Sequence, residues 1–117
     1  MKVRHKIYWR DEISSAHSLK LPYESKCKRL HGHNYLVEIW IEGEKNSNGM
    51  IVDFADLKKI VSELDHINLN GVIEQPTAEN IAEYIAGKII NIGNTRISEV
   101  KVRVWEDKDS YAEVIVE

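Results

Sequence analysis

Three histidines in the first third of this 117-residue chain have the residue type and spacing of a metal site. His31 and His33 are separated by one glycine and enter a segment whose apolar residues alternate as in a β-strand. Side chains two residues apart on a strand point to the same side, so these two imidazoles can converge on one ion. His17 ends an earlier strand-like segment, and a short connection brings it back towards the pair. Three imidazoles without a fourth protein ligand predict a zinc site with one open position, the form used in catalysis.

Taken singly, each of these histidines is as well explained by a surface or capping role. The matching positions of all three favour the metal site over that explanation. Iron and copper also accept imidazole ligands, so the pattern indicates a metal more firmly than it indicates zinc.

The single cysteine, Cys27, lies four residues before His31 and is flanked by Lys26, Lys28 and Arg29. A free cysteine is most often a small buried apolar side chain. Positive neighbours, however, lower the pKa of a thiol and favour the thiolate. Cys27 is therefore a candidate acid or base.

Asp65 and His66 directly follow the first predicted helix. A histidine there is explained equally well by a favourable interaction with the helix dipole. The alternative is an Asp–His–Cys arrangement, in which the carboxylate orients an imidazole that works with the thiol in proton transfer. The residues alone leave both interpretations open. Thr77 is interpreted first as a helix N-cap, with a ligand contact secondary.

The pattern of apolar residues predicts an α+β fold with element order β-β-α-α-β-β. This order implies an antiparallel sheet with both helices on one face. The predicted strands cover residues 3–17, 34–42, 100–106 and 111–116. The first helix is predicted over 54–64, with Asp53 as its N-cap, and the second runs from the Thr77 cap to 91–94, with Gly93 as a stop.

Residue parity along the strands brings a carboxylate to the same place. Glu106 ends the third strand at an even position shared with apolar valines, while the three histidines share the apolar positions of their own strands. If no bulge intervenes, these four polar side chains are expected at the rim of the helix-covered face. A solvated strand end is the simpler explanation for Glu106, but an inward carboxylate is costly without a partner. A carboxylate in this position suits a ligand that offers two parallel N–H donors.

Composition indicates one ordinary globular domain over residues 1–117. The net charge of −3 gives no reason to expect nucleic-acid binding. A single cysteine excludes an intramolecular disulfide and favours a reducing compartment. No apolar run approaches the roughly 20 residues of a membrane span, and no secretory segment follows Met1. We therefore expect a cytoplasmic protein without a membrane partner.

Six segments together resemble the 6-pyruvoyltetrahydropterin synthase family, in order and over nearly the whole chain. They are S-S-A-H-S-L (14–19), C-K-R-L-H-G-H-N-Y (27–35), M-I-V-D-F-A-D-L-K (50–58), L-D-H-I-N-L-N (64–70), P-T-A-E-N-I-A (76–82) and V-W-E (104–106). The three residues between the cysteine and His-Gly-His are similar to the 6-carboxy-5,6,7,8-tetrahydropterin synthase branch. The Ile-Ser-Ser before Ala16-His17 departs from the aromatic residue and further alanine frequent in the family.

The resemblance implies a tunnelling fold, in which trimers close their sheets into a barrel and two trimers stack as a hexamer. It assigns zinc to His17, His31 and His33. It also assigns the catalytic thiol to Cys27 and its relay to Asp65 and His66, contributed across a subunit interface. It assigns binding of the pterin ring to Glu106 and places Thr77 in the segment that lines the pterin pocket.

The reaction implied is conversion of 7,8-dihydroneopterin triphosphate to 6-carboxytetrahydropterin, acetaldehyde and triphosphate, on the route to the deazaguanines queuosine or archaeosine. Two alternatives stay open at this point. One is a 6-pyruvoyltetrahydropterin synthase, which eliminates triphosphate without cleaving the side chain. The other is a zinc- and pterin-binding module without catalysis.

Overall fold

A four-stranded antiparallel sheet with two helices forms the framework of the chain. The computed structural model describes residues 1–93 and 96–117. The strands are β1 (His5–His17), β2 (His31–Gly43), β3 (Ile97–Asp107) and β4 (Ser110–Val116), and the helices are α1 (Phe54–Ser62) and α2 (Ala78–Ile90). The strand order is β1-β2-β3-β4. Short 3₁₀ turns at Lys26–Lys28 and Leu69–Gly71 lie in the connections. Neither helix in the described part of the chain is long and apolar enough to span a membrane.

The core lies between the helices and one face of the sheet. Alternate residues of the strands supply the sheet side, and the i, i+3, i+4 positions of the helices supply the other. Its largest group of fully buried aliphatic side chains comprises Val37, Ile39, Ile41, Leu57, Val61, Leu64, Leu69, Ile81, Ile85, Ile89, Val102 and Val104. Asp53 and Thr77 cap α1 and α2 as the sequence predicts, each accepting a backbone N–H of the first turn.

Several element ends differ from the sequence prediction. β2 begins at His31 rather than residue 34, because its pairing with β1 continues to the His17–His31 pair. β3 begins at residue 97 rather than 100, and α1 ends at residue 62 rather than 64, although Leu64 beyond it is still buried. α2 ends at residue 90, and Gly93 follows with φ 101°. The predicted end at Asn94 lies outside the described residues.

The other face of the sheet carries a polar and aromatic network. Glu38 accepts a hydrogen bond of 2.6 Å from Tyr8 Oη and another of 2.6 Å from Trp105 Nε1. Burial alone would raise the pKa of Glu38, but these two hydrogen bonds and the charge of Arg103 outweigh it and lower the pKa. Arg103 lies over the Trp40 ring, 4.8 Å from its centroid. The two faces are thus chemically distinct, and the register of the strands determines which side chains lie on each face.

The core predicts a clear difference between two isoleucines of α2. Ile85 is fully buried, whereas Ile90 on the same helix is 44% exposed. Ile85→Ala should lower the free energy of unfolding by about 2–5 kcal/mol, because it leaves a cavity among close-packed side chains. Urea denaturation measures this, with Ile90→Ala as the control, for which we expect less than about 1 kcal/mol. Equal losses for the two variants would contradict this packing.

Candidate metal centre and surrounding groups

The antiparallel register of β1 and β2 brings the three histidines together. His17 is the partner of His31 and Ser15 is the partner of His33, so all three imidazoles lie at one end of the hairpin. Their side chains point to the helix-covered face, and one ligand nitrogen from each lies within 4.8 Å of the others. His17 is fully buried, and the other two are half-buried. The strand pairing therefore forms a preorganised donor set.

Backbone carbonyls fix the orientation of two of these rings. His17 Nδ1 lies 2.7 Å from the carbonyl oxygen of Pro76, and His31 Nδ1 lies 2.7 Å from that of Arg29. A carbonyl can only accept, so each Nδ1 carries the proton and donates it. The neutral ring then presents the lone pair of Nε2 to the site, which is how metal-binding histidines are usually oriented.

The distance between these two rings fits a bound cation. His17 Nε2 and His31 Nε2 are 3.1 Å apart. In the tautomers set by the carbonyls both atoms are acceptors, so a contact this short is repulsive unless positive charge lies between them. A tetrahedral zinc ion with Zn–N bonds of about 2.0–2.1 Å separates its ligand nitrogens by roughly 3.3 Å. The cluster could therefore hold a metal ion, and its donor set suits zinc.

The His33 ring packs against the buried side chain of Tyr35. His33 Nε2 is buried and makes no hydrogen bond within residues 1–93 and 96–117. Burial lowers the pKa of His33, against the opposing charge of Glu106, and so favours the neutral imidazole. The Tyr35 ring packs edge-on against both His33 and His17, with centroids 5.5 and 5.9 Å away. Burial, with the nearby Glu106 charge, raises the pKa of Tyr35 far above its ordinary value, so its hydroxyl stays protonated.

Glu106 lies beside the histidines, where residue parity predicts it. One carboxylate oxygen is 3.5 Å from His17 Nε2 and 3.6 Å from His33 Nε2. A β-bulge shifts the pairing of β3 with β4 between Trp105 and Asp107, so Glu106 has no partner on β4. Its side chain is 34% exposed and lines a groove with His33 and Trp105. The bulge therefore places a carboxylate where a ligand in this groove would meet it.

Asp65 and His66 form a pair attached to the outer edge of β1. An Asp65 carboxylate oxygen accepts the Ser14 backbone N–H at 2.8 Å and lies 2.9 Å from His66 Nδ1. The hydrogen bond from Ser14 lowers the pKa of Asp65 despite some burial, and His66 lowers it further. His66 has φ 58°, uncommon for a non-glycine residue, and its N–H donates to the Ser14 carbonyl at 2.7 Å. Its imidazole is 80% exposed.

Cys27 lies in the 3₁₀ turn of the β1–β2 connection and is half-buried. Its backbone N–H donates to Ser25 Oγ at 3.1 Å, and its carbonyl accepts the N–H of Leu19 at 2.9 Å. Cys27 is close to the histidines along the chain, because Arg29 and then His31 follow it.

The groups around the three histidines differ in how well the sequence indicates them. Thr77 acts as the predicted cap, with Oγ1 accepting the Asn80 N–H at 3.1 Å. The carbonyls of Pro76 and Arg29 belong to the backbone, which no residue pattern marks. Tyr35 shares the parity of the histidines and could have been included on that ground.

Comparison with known proteins gives consistent matches over the whole chain. Residues 6–117 match the family model described as 6-pyruvoyl tetrahydropterin synthase. A Pyrococcus horikoshii protein with the provisional name 6-carboxy-5,6,7,8-tetrahydropterin synthase is 43% identical, over 96% of this chain and 90% of its own. The dihydroneopterin monophosphate aldolase of Pyrococcus furiosus is 35% identical, over 93% of this chain and 94% of its own.

The solved structure of Caenorhabditis elegans 6-pyruvoyl tetrahydropterin synthase is similar, with a TM-score of 0.73 at 26% identity. It covers 98% of this chain and 97% of that chain. The α+β tunnelling fold expected from the sequence is therefore confirmed.

The histidine cluster predicts one tightly bound zinc ion per chain. His31→Ala should lower zinc affinity more than the roughly 10–100-fold loss typical of removing a group that only supports a ligand. Metal content after dialysis and competition with a chelator measure this. His5→Ala is the matched control, because His5 lies at the opposite end of β1. Undiminished binding by His31→Ala would contradict the site.

Proposed function

The chain belongs to the 6-pyruvoyl tetrahydropterin synthase family, and we propose that it is a zinc-dependent 6-carboxy-5,6,7,8-tetrahydropterin synthase. Its substrate would be 7,8-dihydroneopterin triphosphate. With uptake of one water molecule, the products would be 6-carboxytetrahydropterin, acetaldehyde and triphosphate, a step towards deazaguanine synthesis. The main support is the set of three convergent imidazoles with a carboxylate 3.5–3.6 Å from two of them. A free cysteine, Cys27, precedes His31 by four residues in the chain.

The metal ligands in this proposal are His17, His31 and His33. Bound zinc would supply a Lewis acid that acidifies the side-chain hydroxyls of the substrate. The protein fixes the donor set before binding, because carbonyls orient two rings and Tyr35 supports the third. Little reorganisation is then needed when the ion and the substrate bind.

Cys27 and the Asp65–His66 pair move the protons. We assign removal of a side-chain proton to the Cys27 sulfur, acting as the base. His66 transfers a proton on the other side of the substrate, and the Asp65 carboxylate holds its Nδ1 at 2.9 Å. Because the pKa of Asp65 is lowered, the carboxylate is charged throughout the neutral range.

Glu106 orients the pterin. A carboxylate at the edge of a groove can accept two parallel N–H donors from the pyrimidine edge of the ring. With the ring fixed there, the substrate side chain lies towards the histidine cluster, of which His17 and His33 are 3.5 and 3.6 Å from the carboxylate. Thr77 begins the helix whose preceding carbonyl holds His17, and we place it at the margin of the same pocket.

Assembly would complete the site. β1 and β4 are the two edges of the sheet, and open edges favour pairing with another chain. Residues 64–68 cover the outer edge of β1 at Ser14 and Ala16. In a trimer whose sheets close into a barrel, or in a hexamer of two such trimers, the exposed His66 of one subunit would serve the thiol of its neighbour.

The products distinguish this activity from its alternatives. Incubation of the zinc-loaded protein with dihydroneopterin triphosphate should release acetaldehyde and triphosphate in equal amounts, with 6-carboxytetrahydropterin found by mass spectrometry. Triphosphate without acetaldehyde would indicate the pyruvoyl-forming reaction instead. A two-carbon aldehyde that still carries the phosphate chain would indicate an aldolase, the activity named in the Pyrococcus furiosus relative.

The thiol provides the matching control. Cys27→Ala should retain one zinc ion per chain and form no product, because the ligands lie on β1 and β2 and do not include the thiol. Full activity of Cys27→Ala would refute the assigned role. A wild-type protein that binds zinc and a pterin without turnover would instead be a binding module.

Basic residues beside the thiol are placed to meet the triphosphate. Lys26, Lys28 and Arg29 line one surface groove with Glu24 and Ser25. Lys28 forms an ion pair with Glu24 at 3.5 Å. Lys26 and Arg29 form no ion pair with any other described residue. The His31 ring donates to the Arg29 carbonyl at 2.7 Å, so Arg29 lies directly beside one of the three histidines. We therefore assign the phosphate chain to Lys26 and Arg29.

Neutralising these two charges should weaken use of the triphosphate. We expect kcat/KM of a Lys26→Gln, Arg29→Gln double variant to fall about tenfold, with a weaker dependence on salt, since exposed pairs each contribute up to about 1 kcal/mol. Steady-state kinetics at several ionic strengths measure both effects. Lys45→Gln, in the exposed loop after β2, is a control that removes a single positive charge away from this groove. An unchanged salt dependence would argue against this phosphate site.

A further inference from the structure

Two side-chain amides hold the segment that follows β1. Asn70 accepts the Ser18 backbone N–H through Oδ1 at 2.8 Å and donates to the Ser18 carbonyl through Nδ2 at 2.8 Å. Gln75 does the same for Lys20, accepting at 3.0 Å through Oε1 and donating at 2.8 Å through Nε2. An amide offers the same donor and acceptor as a backbone peptide. Asn70 and Gln75 therefore take the place of a neighbouring strand beyond the end of β1.

Leu19, between Ser18 and Lys20, faces the 3₁₀ turn at Lys26–Lys28, which contains Cys27 and which we call the thiol turn. Leu19 donates its backbone N–H to the carbonyl of Cys27 at 2.9 Å. Residues 18–20, which we call the strap, thus have the two amides along one edge and the Cys27 backbone along the other. The Cys27 N–H is held separately by Ser25 Oγ. The position of the thiol turn relative to β1 is set through the strap.

The same turn of chain holds a metal ligand. Pro76 directly follows Gln75, and its carbonyl accepts the proton of His17 Nδ1. The Gln75 carbonyl accepts hydrogen bonds from the Thr77 N–H at 2.9 Å and from Asn80 Nδ2 at 2.8 Å. The residues before α2 therefore fix one imidazole through a backbone carbonyl and the strap through the Gln75 side chain.

We propose that Asn70 and Gln75 are positioning residues, which place the Cys27 thiol relative to the metal centre by way of the strap. Neither amide is assigned a contact with substrate or metal. The catalytic consequence rests on the proposed function, whereas the structural coupling between the two amides and the thiol turn does not.

Removing the amides should separate the rate of reaction from binding. We expect Asn70→Leu and Gln75→Leu each to keep one zinc ion per chain and a KM within about threefold of wild type. Their kcat should fall about 10- to 100-fold, because a small displacement of a reacting group is costly. Gln75→Glu keeps the acceptor for the Lys20 N–H and loses the donor, so its kcat should be intermediate.

Hydrogen exchange measures the coupling without activity. In the wild type the amide protons of Leu19 and Lys20 should be protected. In the Leu variants they should exchange at least about tenfold faster, while the amides of β1 and α2 keep their protection. Asn46→Leu is the matched control, because Asn46 uses its side-chain oxygen to hold the N–H groups of Asn48 and Met50 in the turn after β2. It should alter neither kcat nor exchange in the strap.

Three results would overturn the proposal. They are unchanged exchange in the strap, unchanged kcat of both Leu variants in an active enzyme, and loss of zinc in parallel with kcat, which would place the effect on His17. A wild-type protein with no pterin turnover but the expected exchange pattern would refute the proposed function and leave the coupling established. The two failures are therefore distinguishable.

Discussion

The hydrogen bond from His17 Nδ1 to the Pro76 carbonyl is the interaction on which the rest of the site depends. The His17 side chain is completely buried, and a buried polar group without a partner costs about 1–3 kcal/mol. This bond satisfies the ring, fixes its tautomer and leaves Nε2 as the acceptor that faces His31 at 3.1 Å. It also ties the end of β1 to the start of α2. A ligand atom of the site is thereby fixed to the structural core.

The register of the sheet determines at which end of the molecule the candidate metal centre lies. β1 ends, β2 begins and β3 ends at the same rim, because these strands are antiparallel neighbours. A slip of one residue would turn a strand's imidazoles to the opposite face, where Glu38, Trp40 and Arg103 form their own network. Such a slip would also bury charged side chains against the helices. Core packing therefore enforces the register on which the histidine cluster depends.

Alternation and capping made most of the framework predictable from sequence. The element order, the caps at Asp53 and Thr77, and the shared face of His17, His31, His33 and Glu106 follow from local periodicity. Strand ends did not, since β2 continues to His31 only because β1 is present to pair with it. The left-handed backbone of His66 and the carbonyl partners of the imidazoles were equally out of reach. They arise from tertiary hydrogen bonds, which leave no periodic trace in the residues.

The rigid and irregular parts of the site suit different chemical needs. Ligands of one ion must keep their nitrogens within tenths of an ångström, and adjacent strands of a packed sheet can do this. Proton-transfer groups need reach and access. Cys27 and His66, to which the proposed function assigns this role, lie on short irregular segments held to β1 by a few hydrogen bonds. The His66 ring is 80% exposed, and its ion-pair partner within residues 1–93 and 96–117 is Asp65. An imidazole that is oriented by a carboxylate and exposed to solvent suits a site that a second subunit completes, as the proposed function requires.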